Sequence, residues 1–339
     1  MLAALSADLS AQGLKLTGYG DLEFVYAQTG DPNNEWRAFF DNHHFNLIAV
    51  GWIVDDLVAA VEVEYEHAGE EIVLEYGYLA YTGLRGIRLA GGKFILPFNR
   101  WNKDLHPTWI SKVPGRPISN ANVFPSTYSD VGVWATGGIP IAQSGSRFVY
   151  DAYVVNGLKG DQDESDWRDL RDNDRDKGND DKSFGGRLGV ELPLGLGLGV
   201  SGYTGGYAND TLTGNKLDIM FFGADADYHL QGLELRGEFV YGKQDLSNGG
   251  EDKRTGFYLQ GSYLPIQARG ALANFEPVVR YSWVNFQGDD SRDGQEIGVG
   301  ASYYVSASSS VRLAYFIFTE KEGFKKDNDK LVSQFNIVF

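Results

Sequence analysis

From about residue 14 to the last residue, apolar and polar side chains alternate with a period of two, in segments of about 9 to 13 residues. That length carries a tilted strand across a bilayer. The pattern predicts sixteen strands near 14–27, 43–54, 57–67, 71–82, 86–96, 127–138, 146–157, 183–192, 195–206, 216–229, 232–243, 255–264, 274–286, 295–305, 309–319 and 329–339. The longest strongly apolar run, Phe45 to Val54, is far shorter than a spanning helix. A membrane could therefore be crossed here only by a closed barrel, which leaves no backbone group unpaired.

The connections support this reading. Those leaving even strands are tight (Asp55 and Asp56; Gly83 to Arg85; Pro193 and Leu194; Leu230 and Gln231; Ala307 and Ser308), and most leaving odd strands are longer and polar. Outer-membrane barrels have even strand numbers, short periplasmic turns and long extracellular loops. The short hairpin at Ala68 to Glu70 is the exception. The expected fold is all-β: a 16-stranded antiparallel transmembrane barrel over 14–339, both ends periplasmic, with 1–13 a periplasmic tail or the remnant of a removed signal.

Which face meets lipid depends on what the polar face holds. Glu62, Glu64 and Glu66 alternate with Val61, Val63 and Tyr65, and Arg236, Glu238, Glu276 and Arg280 alternate likewise with apolar residues. Sixteen tilted strands enclose a cylinder roughly 35 Å across, too wide for side chains to fill. The charged face is thus expected to line a wet lumen, and the apolar face to meet lipid, with Tyr76, Tyr78, Tyr281, Trp283 and Phe339 as interfacial aromatics.

Composition excludes other classes. With no cysteine there is no disulfide framework, zinc–thiolate site or thiol catalysis. A net charge of −16 argues against general nucleic-acid binding. No H-E-x-x-H or G-x-S-x-G stands out, so no enzyme is expected. Gly197 to Gly202 matches G-x-G-x-x-G, but no helix follows to meet a pyrophosphate, and it reads as strand nine with small lumen residues. His43 and His44, adjacent on a strand, are expected to point to opposite faces and not to share a metal.

Several segments resemble outer-membrane porins of the phosphate-selective porin O and P type. They are His44-Phe45-Asn46-Leu47, Glu62-x-Glu64-x-Glu66, Leu74-Glu75-Tyr76-Gly77-Tyr78-Leu79, Gly92-Lys93-Phe94-Ile95-Leu96-Pro97-Phe98, Val154-Val155-Asn156-Gly157, Gly186-Arg187-Leu188-Gly189 and Pro277-Val278-Val279-Arg280-Tyr281. A terminal Phe339 on an alternating last strand resembles the signal such barrels present to their insertion machinery. The resemblance implies a passive channel without cofactor, often a homotrimer, with the long loop after strand five folded into the lumen.

That loop, 98–126, carries Arg100, Lys103, Lys112 and Arg116 against Asp104 alone. Charges at a constriction govern selectivity, so the expectation is a porin for small hydrophilic solutes and ions with an anion bias, phosphate among the candidates. Lumen-facing Arg147, Arg187, Arg236, Arg280 and Arg312 would add to a transverse field against Glu62, Glu64, Glu66 and Glu75. The bland alternative is that these charges pair with one another. A different alternative is a structural sheath around an envelope or redox partner, which should be roomy. Loop 159–182, with ten acidic and six basic residues, reads as a solvated extracellular run. Its Asp172, Asp174 and Asp176 only weakly suggest calcium, because Gly178 falls one position late and Ser183 stands where a Glu is needed.

Overall fold

The computed structural model describes residues 13–30, 35–105, 107, 109–141, 144–172 and 180–339, for Asp172 the backbone only. The expected tail 1–13, apart from Gly13, lies outside the described residues, as do Asp174, Asp176 and His106. Sixteen strands form one closed antiparallel sheet. They are β1 Leu14–Gln28, β2 Trp36–Val54, β3 Leu57–Glu66, β4 Glu71–Leu84, β5 Ile87–Ile95, β6 Ser129–Ile141, β7 Ser146–Val155 and β8 Ser183–Leu192. The second half runs β9 Leu196–Asn209, β10 Lys216–Leu230, β11 Leu233–Asp245, β12 Glu251–Tyr263, β13 Phe275–Phe286, β14 Gly294–Ser306, β15 Ser309–Glu320 and β16 Lys330–Val338. Each matches a segment predicted from alternation, and most run one to seven residues further at an end.

Closure comes from β1 pairing with β16, Tyr19 opposite Val338 through Ala27 opposite Lys330. The terminal residue takes part: Phe339 N–H donates to Gly18 O, and the Thr17 hydroxyl donates to Phe339 O at 2.5 Å. No strand edge is left open, as a bilayer requires.

Burial is inverted relative to a water-soluble protein. Glu276, Arg280 and Arg312 are at most 2% exposed, whereas Leu16, Val133 and Leu259 are 59–69% exposed. The outer face is an apolar surface that water does not tolerate over so large an area, and lipid does. Trp52, Tyr81, Tyr263, Tyr303 and Phe339 are exposed on it near the short turns.

Two bulges shift the side-chain phase, and each overturns an expectation. Between Glu62 and Val63 the partners on β4 jump from Tyr76 to Leu74, so Glu75 is the extra residue. Glu75 and Tyr76 then both turn inward, the Tyr76 hydroxyl reaching Glu62. Tyr78 meets Trp134 edge to face beside the interior cluster. Neither tyrosine is a lipid-facing aromatic, as unbroken alternation had implied. Tyr281 and Trp283, on β13 beside inward Arg280 and Ser282, do lie on the outer face against Phe257. A second bulge opposes Asn42 and His43 to Leu22 alone, since Asp21 pairs with His44 and Glu23 with Asp41.

Candidate pore and its lining

The segment between β5 and β6 crosses the barrel interior and is fastened to the far wall. Asn99 N–H donates to Ser201 Oγ on β9 at 2.9 Å, and Trp101 N–H to Glu238 Oε1 on β11 at 2.6 Å. A short helix, Ile118–Asn122, brings Asn120 Nδ2 to the other Glu238 oxygen at 3.0 Å and Ser119 N–H to Ser282 Oγ on β13 at 3.2 Å. Arg280 donates to Gly115 O at 2.9 Å and Arg312 to Trp109 O at 2.8 Å. Phe98 and Phe124 stack at 4.0 Å and meet Phe221 of β10 edge to face.

This approach needs a flat wall. A Cβ on Gly223 would lie 2.2 Å from Asn99 Oδ1, and one on Gly242 would lie 2.4 Å from the Trp167 ring. The Gly197–Gly202 stretch belongs to β9, where a Cβ on Gly199 would meet the Arg187 guanidinium at 2.2 Å.

Loop 159–182 is not wholly a solvated run. Trp167 and Leu170 are buried in the same interior cluster, the indole donating to Gln244 Oε1 at 2.7 Å and lying edge-on to Phe221. Arg254 of β12 stacks over that indole at 3.7 Å and donates to Ser165 O at 2.6 Å and Asn122 O at 3.2 Å. One guanidinium thus ties both loops to the wall. Apolar residues amid ten acidic ones were overlooked because the charge count dominated the reading.

What stays open is a cavity of about 700 Å³ between the β2–β6 wall and the two loops. Its wall side carries Glu64, Glu66, Glu71 and Glu75 with His43, His44 and the single cation Lys93, and its loop side carries Arg116, Arg168 and Arg171. Arg116 and Arg168 both donate to Ser126 O, and Arg171 to Thr127 O at 2.6 Å. Burial, and then the neighbouring Arg171 charge, lower the pKa of Arg116 from its ordinary value. An arginine keeps its proton regardless, so the bank remains positive. Across the cavity, Asn46 Nδ2 donates to Glu62 at 2.7 Å and Glu64 at 2.6 Å, and one Glu75 oxygen has no hydrogen-bond partner among the described residues. Toward the short turns a second space of about 620 Å³ is lined by Arg88, Arg100, Lys103, Arg147 and Arg187 against Asp104, Asp151 and Glu191.

The four expected filter cations do not act alike. Arg100 pairs with Asp227 at 2.6 Å, Lys103 with Asp151 at 2.6 Å and Lys112 with Glu276 at 3.1 Å. Burial opposes the charge on Lys112, yet Glu234, Tyr304 and Glu276 raise its pKa overall, as befits a buried tether. Only Arg116 of the four lines the larger cavity, beside Trp101, Ser111 and Val113 of the same loop. The strand arginines are paired too: Arg147 with Glu191 at 3.0 Å, Arg187 with Asp225 at 2.5 Å, Arg236 with Glu234, Arg280 with Glu296 at 2.9 Å, and Arg312 with Gln334 at 3.2 Å. The first four meet opposite charges, whereas Arg312 meets a neutral amide and the Trp109 carbonyl. Glu238 is expected on the lumen face but not as a loop anchor, and Arg254, Arg168 and Arg171 are not singled out from sequence.

The pair His43 and His44 also departs from expectation. The bulge at Asn42 and His43 turns both rings inward, their centroids 3.8 Å apart and both beside Asp21.

No family model matches this chain. A solved structure similar to it is the anion-selective porin from Comamonas acidovorans, with a TM-score of 0.68 and 14% identity over 96% of this chain and 99% of that one. The fold is that of the outer-membrane porins. OmpT of Vibrio cholerae with loop L8 deleted superimposes on this porin fold with a TM-score of 0.65 at 12% identity, covering 96% and 99% of the two chains. OmpF of Salmonella typhi, solved with daunomycin, follows at 0.60 and 12%, covering 96% and 97%. A protein of Aquifex aeolicus, described as uncharacterized, is 27% identical over 94% of this chain and 78% of its own length.

Proposed function

We propose that this chain is an outer-membrane porin: a passive channel for small hydrophilic solutes and ions, with a weak anion bias and phosphate among the solutes its arginines suit. The observation that carries the reading is the opposition across one cavity of Glu64, Glu66, Glu71 and Glu75 to Arg116, Arg168 and Arg171. Such a transverse field orders dipolar solutes and penalises apolar ones, and confined charges are screened less than surface ones. The acidic excess elsewhere, as at Asp289 to Asp293, sits in an outer loop where charges beyond about 8 Å are screened by salt. Five cations against three carboxylates in the second space favour anions, in keeping with the anion selectivity named for the Comamonas porin. A roomy sheath is disfavoured by two loops packed into the interior. A homotrimer is the proposed assembly, supported by the trimer form known for Vibrio OmpT.

The test is the reversal potential of single channels in a KCl gradient. Wild type should favour chloride modestly, and replacing Arg116, Arg168 and Arg171 by Ser should turn the preference toward potassium. A wild type already selective for potassium, or a triple variant with unchanged selectivity, would refute the arginine bank as the filter.

A further inference from the structure

The bulge on β2 gathers a set of donors that straightforward alternation would have scattered. His43 Nδ1 lies 3.7 Å from Asp21 Oδ2 and 3.6 Å from Glu23 Oε1, and His44 Nδ1 lies 3.2 Å from Asp21 Oδ1. One ligand atom each from Asp21, His43 and His44 falls within 4.8 Å of the others. We propose that these three residues, with water completing the coordination, form a binding site for a divalent late first-row transition ion, zinc foremost.

Three features of the molecule carry this. First, a tetrahedron with bonds of about 2.0–2.1 Å has ligand-to-ligand edges of about 3.4 Å, near the 3.2 Å from His44 Nδ1 to Asp21 Oδ1 and the 3.7 Å from His43 Nδ1 to Asp21 Oδ2, so Asp21 reaches one ring with each oxygen. Two imidazoles and a carboxylate suit zinc and its neighbours and not calcium or magnesium, which take oxygen. Secondly, the supporting shell is in place. His44 presents its other nitrogen to the Glu66 carboxylate at 3.5 Å, the kind of outer-shell partner that metal-bound imidazoles have. Gln334 Nε2 donates to Asp21 Oδ2 at 3.0 Å and Glu23 Oε1 at 2.7 Å, holding both carboxylates in position. His43 Nδ1 is buried without a hydrogen-bond partner among the described residues, its nearest acceptors being the carboxylates of Glu23 and Asp21 at 3.6 and 3.7 Å. Thirdly, there is a route in, because His43 and His44 line the 700 Å³ cavity while Asp21 and Glu23 are buried behind them.

The site does not depend on the channel conducting, and the experiment is a binding measurement. The folded barrel in detergent, stripped with a chelator, is titrated with Zn²⁺ and, separately, with Co²⁺. About one Zn²⁺ per chain should bind, and Co²⁺ should give the intense visible bands of a tetrahedral ion. His43→Gln and His44→Gln should each weaken Zn²⁺ by at least about tenfold, whereas Glu71→Gln, in the same cavity but outside the cluster, should not. Glu66→Gln, which keeps every direct ligand, should weaken it less. The absence of stoichiometric Zn²⁺ on the unaltered barrel, a weak octahedral Co²⁺ spectrum, or equal affinity in folded His43→Gln protein would overturn the proposal.

Discussion

The two sides of this barrel are built from the same alternating strands and end in opposite states. On β9–β13 the inner wall carries large apolar residues such as Tyr203, Ile219, Phe221 and Phe286, together with glycines and charges that meet the loops: Gly223 at Asn99, Gly242 at Trp167, Glu238 at Trp101 and Asn120, Arg254 at Ser165 and Asn122. That side is a core, with Phe98, Phe124, Trp167, Leu170, Tyr203 and Phe221 packed together. On β1–β4 the inner positions are Asp21, Glu23, His44, Asn46, Glu62, Glu64 and Glu75, whose described hydrogen bonds and ion pairs run among themselves and their strand neighbours. That side faces a cavity. Apolar side chains and glycines at inward positions thus mark where a loop docks, and charged ones border the part of the lumen that stays open.

Breaking the packed side should have the largest effect. Trp167→Ala removes an indole buried among Phe221, Gln244 and Arg254, and should cost about 3–5 kcal/mol of loop docking. Hydrogen exchange should rise over 158–172 and stay unchanged over 41–66; a rise of equal size on both sides would dissolve the distinction between them. Glu238→Ala leaves Trp101 N–H and Asn120 Nδ2 without their acceptor and should cost about 1.5–3 kcal/mol, read as a higher conductance when the loop between β5 and β6 loosens. On the open side, Asn46→Ala should cost only about 1 kcal/mol in a denaturant titration, because water from the adjacent cavity can serve Glu62 and Glu64 in its place. Smallest is Lys103→Met, whose partner Asp151 also accepts from Trp134 Nε1: the reversal potential should move much less than in the triple arginine variant, and an equal shift would restore all four loop cations to the filter.

Strand number and order were legible because a closed barrel repeats one constraint, alternation, sixteen times, whereas the ends of strands such as β2 and β12 run past the alternating core by four to seven residues. What was not legible follows from local exceptions to it. One extra residue at Glu75 turned Tyr76 and Tyr78 inward, and one at Asn42 and His43 brought both histidines to Asp21. Bulges leave no composition signal, so parity arguments fail at them. The loop after β5 was recognisable from its length, yet the pairing of Arg100, Lys103 and Lys112 depends on which wall carboxylates they reach across the lumen. Trp167 and Leu170 could have been read as a docking pair within the charge run. The inward glycines of β10 and β11 would have named their wall.

The central claim, a lumen packed on one side and open on the other, can be tested by thiol accessibility, since the chain has no cysteine of its own. Glu66→Cys faces the cavity, and Ser282→Cys lies fully buried beneath Ser119 of the docked loop. With a membrane-impermeant charged thiosulfonate added to single channels, the account predicts a stepwise fall in current for Glu66→Cys and no change for Ser282→Cys. Equal reaction at both positions, or reaction at Ser282→Cys alone, would contradict it.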